Sequence, residues 1–208
     1  MTANTQSKAI VRVVDDDPDV RRSWQFVIEG EGWNVLTYAS ALEFLEKDSP
    51  FTPGCLVLDV RMPGMSGIEL QHEMKLRGDT LPIIFISAHG DIDMAVNTLK
   101  AGAIDFLQKP VDDQRLLKTI ENAVSHNLAQ RRGKREVTDF RNRLESLTQR
   151  EREVNRMVAQ GYSNKEVARE YGISEKTVQV HRGSAYRKLD LHNAAEIARL
   201  LMLTGDPL

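Results

Sequence analysis

Along the first 125 residues the hydrophobic positions fall into two alternating patterns. Short runs that are apolar almost throughout occupy 10–14, 33–38, 55–58, 82–86 and 104–107. Between them, over 20–29, 41–46, 68–76, 94–99 and 116–124, apolar residues recur at helical spacing. Apolar runs of this length mark strands covered on both faces, and the intervening helices supply the covers. The pattern predicts an α/β unit built on a five-stranded parallel, doubly wound sheet. Right-handed crossovers then bring every strand C-terminus to one edge, where open α/β folds place their chemistry.

The pattern changes after 126. Residues 127–143 are rich in Arg, Gln and Glu, contain no Pro and only Gly133, and read as a linker. Val137, Phe140, Leu144 and Leu147 nevertheless recur at steps of three and four, which predicts an amphipathic helix in its second half. That stripe suits either packing onto the C-terminal domain or a two-stranded seam in a dimer. Beyond it the chain reads as all-α, with four helices. Thr148 and Glu151 form a capping box for a helix to Gln160, and Ser163 caps 164–171. Ser174 caps a third helix to Leu189, and a fourth runs from about 193 to 203. The predicted domains are 8–125, a helical linker 126–143, and 144–204.

Charge sharpens this division. The 208 residues carry a net charge of −2, but 1–125 sum to −7 and 126–208 to +5. An acidic half joined to a basic half implies two modules with different partners, the second suited to a polyanion. No apolar run is long enough for a membrane span, and 1–7 lack a secretory h-region, so a cytoplasmic protein is expected. The single Cys55 excludes a disulfide scaffold or zinc finger.

Candidate chemistry gathers at the predicted sheet edge. Asp15, Asp16 and Asp17 follow the first strand, Asp59 ends the third, Ser87 the fourth and Lys109 the fifth. Clustered carboxylates repel one another unless a cation lies among them, and oxygen donors at an open site suit Mg²⁺. Carboxylates, a lysine and a hydroxyl at one edge form a phosphate-handling constellation.

The runs Val13–Asp17, Leu58 to Gly67 (LDVRMPGMSG), Ile86-Ser87-Ala88 and Lys109-Pro110 resemble the receiver domain of two-component response regulators, a flavodoxin-like fold. The resemblance implies Asp59 as phospho-acceptor and Asp15, Asp16, Asp59 and the Arg61 carbonyl around Mg²⁺. It implies Lys109 as the phosphoryl partner, with Ser87 and Phe106 as the switch pair. It further implies a sensor histidine kinase as donor and a homodimer on phosphorylation. Enzymatic activity would be limited to self-phosphorylation from phosphodonors and slow autodephosphorylation.

In the basic half, 164–181 fits a helix-turn-helix. Ala168 is small where two helices cross, and Gly172 stands where the turn needs positive φ. On the third helix Val178, Ala185 and Leu189 share an inward stripe, while Lys176, Gln179, Val180, Gly183 and Arg187 share the opposite face. The runs 147–154, 161–168 and 173–181 resemble the LuxR-type DNA-binding domain, and with the receiver they resemble the NarL and FixJ class of transcriptional regulators, the FixJ-like branch most nearly. The resemblance implies double-stranded DNA and RNA polymerase as partners, with the 174–189 helix in the major groove. Gln179 would read adenine and Val180 a thymine methyl, with Thr177 beside them. Lys165, Lys176, Arg182 and Lys188 would meet phosphates, and Gly183 leaves a gap where relatives often carry a longer side chain. Two other readings stand beside this one: a haloacid-dehalogenase-type phosphatase using the Asp15–Asp17 run, and a DNA-binding module indifferent to phosphorylation.

Overall fold

The computed structural model describes residues 9–88 and 92–205. The chain divides into two compact units, Met1–Arg131 and Arg132–Leu208. In the first, β1 (Ile10–Val14), β2 (Asn34–Tyr38), β3 (Gly54–Asp59), β4 (Ile83–Ser87) and β5 (Asp105–Gln108) form one parallel sheet in the order β2-β1-β3-β4-β5. Helices α1 (Pro18–Gly30), α2 (Ala41–Lys47), α3 (Gly67–Leu76), α4 (Ile92–Lys100) and the start of α5 (Asp113–Glu145) connect and cover it. The five strands and their intervening helices agree with the hydrophobic pattern to within a few residues.

Alternate strand residues feed two cores. Val11, Val13, Cys55, Val57, Ile84, Ile86 and Leu107 pack with Ile28 of α1 and Leu116, Ile120 and Val124 of α5. Val14, Leu56, Leu58, Ile83 and Phe85 pack with Phe44 of α2 and Leu70 and Met74 of α3. Cys55 is fully enclosed, and burial pushes its thiol up to about 12, which keeps it protonated and inert.

One buried strand residue is charged. Arg12, in the middle of β1, is 1% exposed, and its guanidinium bonds Asp48 at 2.9 Å and the carbonyls of Ile10, Ser49, Thr52 and Pro53. The chain turning from α2 into β3 is thereby anchored to β1.

The expected linker is helical throughout. Residues 126–143 belong to α5, a helix of 33 residues, because helix formers fill the stretch and one glycine costs only about 1 kcal/mol. Asn127, expected to open the linker, is fully buried in the first unit. Its amide oxygen accepts from Gly54 N at 3.1 Å and Arg131 Nε at 3.0 Å.

The second unit contains α6 (Gln149–Ala159), α7 (Asn164–Tyr171), α8 (Glu175–Leu189) and α9 (Ala194–Thr204). The expected capping box of Thr148 with Glu151 is formed, and Ser163 caps α7 in a second box with Glu166. Gly172 ends α7 at φ 62°, the left-handed conformation the turn demands. Val154, Val158, Val167, Ala168 and Val178 make one core cluster. Phe140, Leu144 and Leu147 are buried in another with Ala185, Leu189, Ile197 and Leu200. The apolar stripe at the end of α5 is therefore core of the C-terminal unit, which decides against the dimer seam for these three residues. Among the described residues no helix is long and apolar enough to cross a membrane.

Candidate functional site

Successive strands are laid down to one side of β1 as β2 and to the other as β3, so the gap between β1 and β3 is the crevice where open parallel sheets bind ligands. Val14 pairs with Leu58, so Asp15 emerges beside Asp59. Lys109, one residue past β5, reaches across β4 and β3 to both. Its Nζ donates to Asp59 Oδ1 at 2.9 Å and to Asp15 Oδ2 at 3.0 Å. The remaining carboxylate oxygens accept main-chain N–H groups, Asp17 N on Asp15 at 2.9 Å and Arg61 N on Asp59 at 2.7 Å. The Lys109–Pro110 peptide is cis.

Burial lifts the Asp15 carboxyl above its ordinary value, against the bonds from Asp17 N and Lys109 that pull it down. Burial works to lower Lys109, but its bonds to Asp59 and Asp15 outweigh that and raise it. The lysine is a fixed positive charge near neutral pH.

Of the other expected residues, Ser87 is buried at the end of β4, and its carbonyl accepts from Lys109 N at 2.8 Å. Phe106 of β5 is half-buried, with its ring 6.4 Å from Phe85. Asp16 and Arg61 are exposed, and Asp17 caps α1 instead, accepting from Asp19 N and Val20 N. Among the described residues no three His, Cys, Asp or Glu side chains form a metal cluster. The carboxylates of Asp15 and Asp59 do converge on one cation, the Lys109 ammonium, and they are hard oxygen donors of the kind Mg²⁺ takes. His89, in the loop after Ser87, lies outside the described residues.

Gly67 had no assigned role in the sequence. A Cβ there would lie 2.2 Å from the Asp59 carbonyl oxygen, so only glycine lets α3 start directly against the acidic strand end. No local signal marks this requirement, because the obstructing atom belongs to another element.

On α8 the inward and outward faces are as expected. Val178, Ala185 and Leu189 are buried; Lys176, Gln179, Val180, Gly183 and Arg187 are exposed, Val180 at 62%. Lys165 is exposed at the start of α7, and half-buried Thr177 is tied to Ser174 at the start of α8. Two expected phosphate ligands are engaged within the unit. Arg182 donates to Asn164 Oδ1 at 2.6 Å and to the Tyr186 hydroxyl at 3.2 Å. Lys188 donates to Glu151 Oε2 at 2.7 Å and to the Ser146 carbonyl at 3.2 Å.

Glu151 also accepts from Ser184 Oγ at 2.6 Å and from Thr148 N at 2.8 Å. Its burial favours the neutral acid, but bonds from Lys188, Ser184 and Thr148 prevail and hold it down to about 2. A depressed carboxyl stabilises the fold above its unfolded pKa and loses that effect as pH falls through the folded value. The C-terminal unit is therefore expected to lose on the order of 3 kcal/mol on acidification from about pH 4.5 to about 2. Urea unfolding of wild type and Glu151→Gln across this window checks it: the variant's curve should be flatter by that amount.

The two halves match two family models. Residues 11–121 match the response regulator receiver domain, and 145–201 match the bacterial regulatory proteins of the luxR family. Nodulation protein W of Bradyrhizobium diazoefficiens is 41% identical over 96% of this chain and 88% of its own length. The transcriptional regulatory protein FixJ of Azorhizobium caulinodans is 38% identical over 94% of this chain and 92% of its own. Among solved structures, the response regulator StyR matches with a TM-score of 0.82 and 44% identity, covering 94% of this chain and 98% of that one.

Proposed function

The chain belongs to the two-component response regulators that join a receiver domain to a luxR-family DNA-binding domain, and from that premise we propose that phosphorylation of Asp59 by a sensor histidine kinase controls its grip on DNA. It is a transcriptional regulator and not a phosphatase of the haloacid-dehalogenase type. The observation that carries the proposal is the single ammonium of Lys109, bonded to both Asp15 and Asp59 at the switch point of the sheet.

In the proposed reaction an Asp59 carboxylate oxygen attacks phosphorus in the kinase's phosphohistidine. The P–O bond forms as the P–N bond breaks, and imidazole leaves with the electron pair. Lys109 offsets repulsion between the two anions and stays paired with the transferred phosphoryl oxygens. Asp15, Asp59, Asp16 and the Arg61 carbonyl would hold Mg²⁺, which supplies charge neutralisation at the phosphoryl group. Hydrolysis of the acyl phosphate restores the carboxylate.

The added charge, about −1.5 to −2, would draw in Ser87, and Phe106 would follow into the space released. Ile92, Val96 and Leu99, spaced by four and three on α4 and exposed at 82%, 39% and 42%, suit the homodimer this change would favour. Paired C-terminal domains would then meet half-sites about 10 base pairs apart, or a multiple of that, and present the complex to RNA polymerase. The domain limits that serve this reading are 8–125 and 144–204, with 126–143 as the helical connection.

The test is incubation of the purified chain with Mg²⁺ and acetyl phosphate, followed by mass mapping. One phosphoryl group on Asp59 is expected, together with tighter DNA binding; a group on another carboxylate, or unchanged binding, defeats the proposal. On DNA, Lys165 and Lys176 are assigned to phosphates, and Gln179 and Val180 to bases with Thr177 and Gly183 alongside. Lys176→Ala is expected to weaken binding to all sequences alike and to reduce the salt slope by about 1. Gln179→Ala should instead relax preference at one base position by about 1–3 kcal/mol, with the slope kept. Titrations at several salt concentrations separate the two.

A further inference from the structure

Lys188, expected on a phosphate at the far end of α8, is engaged inside the C-terminal unit. Its ammonium meets the Ser146 carbonyl just past α5 and the Glu151 carboxylate of α6. In the opposite direction, Arg143 in the last turn of α5 donates to the Leu189 carbonyl at 2.8 Å and approaches Asp190 Oδ2 at 3.5 Å. Each helix end thus receives a cation carried by the other. The last carbonyls of a helix have no partner within it, and the negative end of its dipole favours a positive charge.

The closure at α8 needs this help. Asp190 caps the helix at φ 57°, a non-glycine residue in the left-handed region. Its N–H and that of Leu191 are bonded to Arg187 O and Tyr186 O, leaving the Leu189 carbonyl for Arg143. At the other end, Arg152 binds the Leu144 carbonyl at 2.9 Å and the Leu147 carbonyl at 3.4 Å. Leu144 and Leu189 belong to the same core cluster.

We propose that Arg143 and Lys188 are positioning residues for DNA recognition: a reciprocal clasp between the end of α5 and the end of α8 that fixes how the α8 face bearing Gln179 and Val180 is presented. Lys188 then carries no phosphate contact, and Arg143, outside the helix-turn-helix, contributes to sequence preference. Loss of either lets α8 pivot about its buried stripe. Contacts that demand bidentate geometry at a base edge suffer, while phosphate contacts made by flexible lysines survive.

The test uses the full chain with Arg143→Ala, Arg143→Lys, Lys188→Met and Lys188→Arg variants. The probes are the duplex selected by the wild-type chain from a random-sequence pool and a random-sequence duplex of equal length, each titrated over a range of salt. Affinities are corrected for the folded, active fraction. The clasp predicts that Arg143→Ala and Lys188→Met each reduce the ratio of selected to random binding by about tenfold, with the salt slope unchanged. The charge-keeping variants should recover much of that ratio. If the slope falls by about 0.9 for each cation removed while the ratio is kept, both are phosphate ligands and the clasp is wrong. If the folded fraction binds both duplexes as wild type does, the bonds serve stability alone and the proposal fails equally.

Discussion

Asp59→Asn is expected to abolish phosphoryl incorporation from acetyl phosphate, by more than about 100-fold, while the receiver unit stays folded. The loss follows from chemistry, since an amide oxygen is too weak a nucleophile to form the mixed anhydride. Preservation of the fold follows from the local bonds. Asp59 accepts from Lys109 Nζ on one oxygen and from Arg61 N on the other. Asparagine can accept only one of these, because its second terminal atom is a donor, and the lost bond costs about 1–3 kcal/mol. Against that, Asp15 is freed from a neighbouring negative charge that raises its pKa, and Lys109 retains Asp15 as a full partner. The two effects oppose each other, so stability should change by no more than about 1 kcal/mol. The Asp15 titration, followed by carboxyl NMR, should move downward. Mass mapping with Mg²⁺ and acetyl phosphate reads the main effect. A phosphoryl group found on Asp15 or Asp16 in the variant would show a second nucleophile and remove the special position given to Asp59.

The acidic site was legible because its residues end strands. Apolar runs covered on both faces announce β1, β3, β4 and β5 plainly, and the residue leaving each run is then placed at one edge whatever the helices do. That β1 lies against β3 is not written in periodicity; the register of Val14 with Leu58 establishes it. That the compact first unit runs on to Arg131 is hidden from periodicity for a related reason. The inward stripe of α5 runs through Leu116, Ile120 and Val124 and then continues with buried Asn127, partly buried Leu128 and half-buried Arg131. The two polar residues satisfy groups of the 50–54 segment: Arg131 donates to Pro50 O and Phe51 O, and Asn127 accepts from Gly54 N. Hydrophobicity alone reads such a continuation as the start of a linker. Charge counting is similarly incomplete on α8, where Lys188 reads only as a free cation and the structure brings the buried Glu151 against it from α6. Glu151 is visible in sequence only as one member of a capping box.

The largest stability effect is expected far from the acidic site, at Gly54. This residue opens β3 at φ 152°, and a Cβ there would stand 1.8 Å from the Ile10 carbonyl oxygen and 2.7 Å from Arg12 Nη1. Neither obstacle can move cheaply. The carbonyl is part of β1, which pairs with β3 beginning at Ile10 opposite Gly54. The guanidinium is enclosed and already bonded to Asp48 and four carbonyls. Gly54→Ala must therefore separate the starts of two central strands, or expel Arg12 from its partners and leave a buried charge poorly paired, a defect worth about 3–5 kcal/mol. Pulling β3 back also strains the Gly54 N bond to Asn127. A loss of about 3–5 kcal/mol is expected in urea unfolding of the receiver transition, a large fraction of a typical domain's stability. Gly30→Ala is the control, because a Cβ at that helical position meets nothing within 4 Å. It should be neutral or stabilising by about 0.5–1 kcal/mol. Equal effects of the two substitutions would mean that the close approach of β1 and β3 at Arg12 does not hold this end of the sheet together.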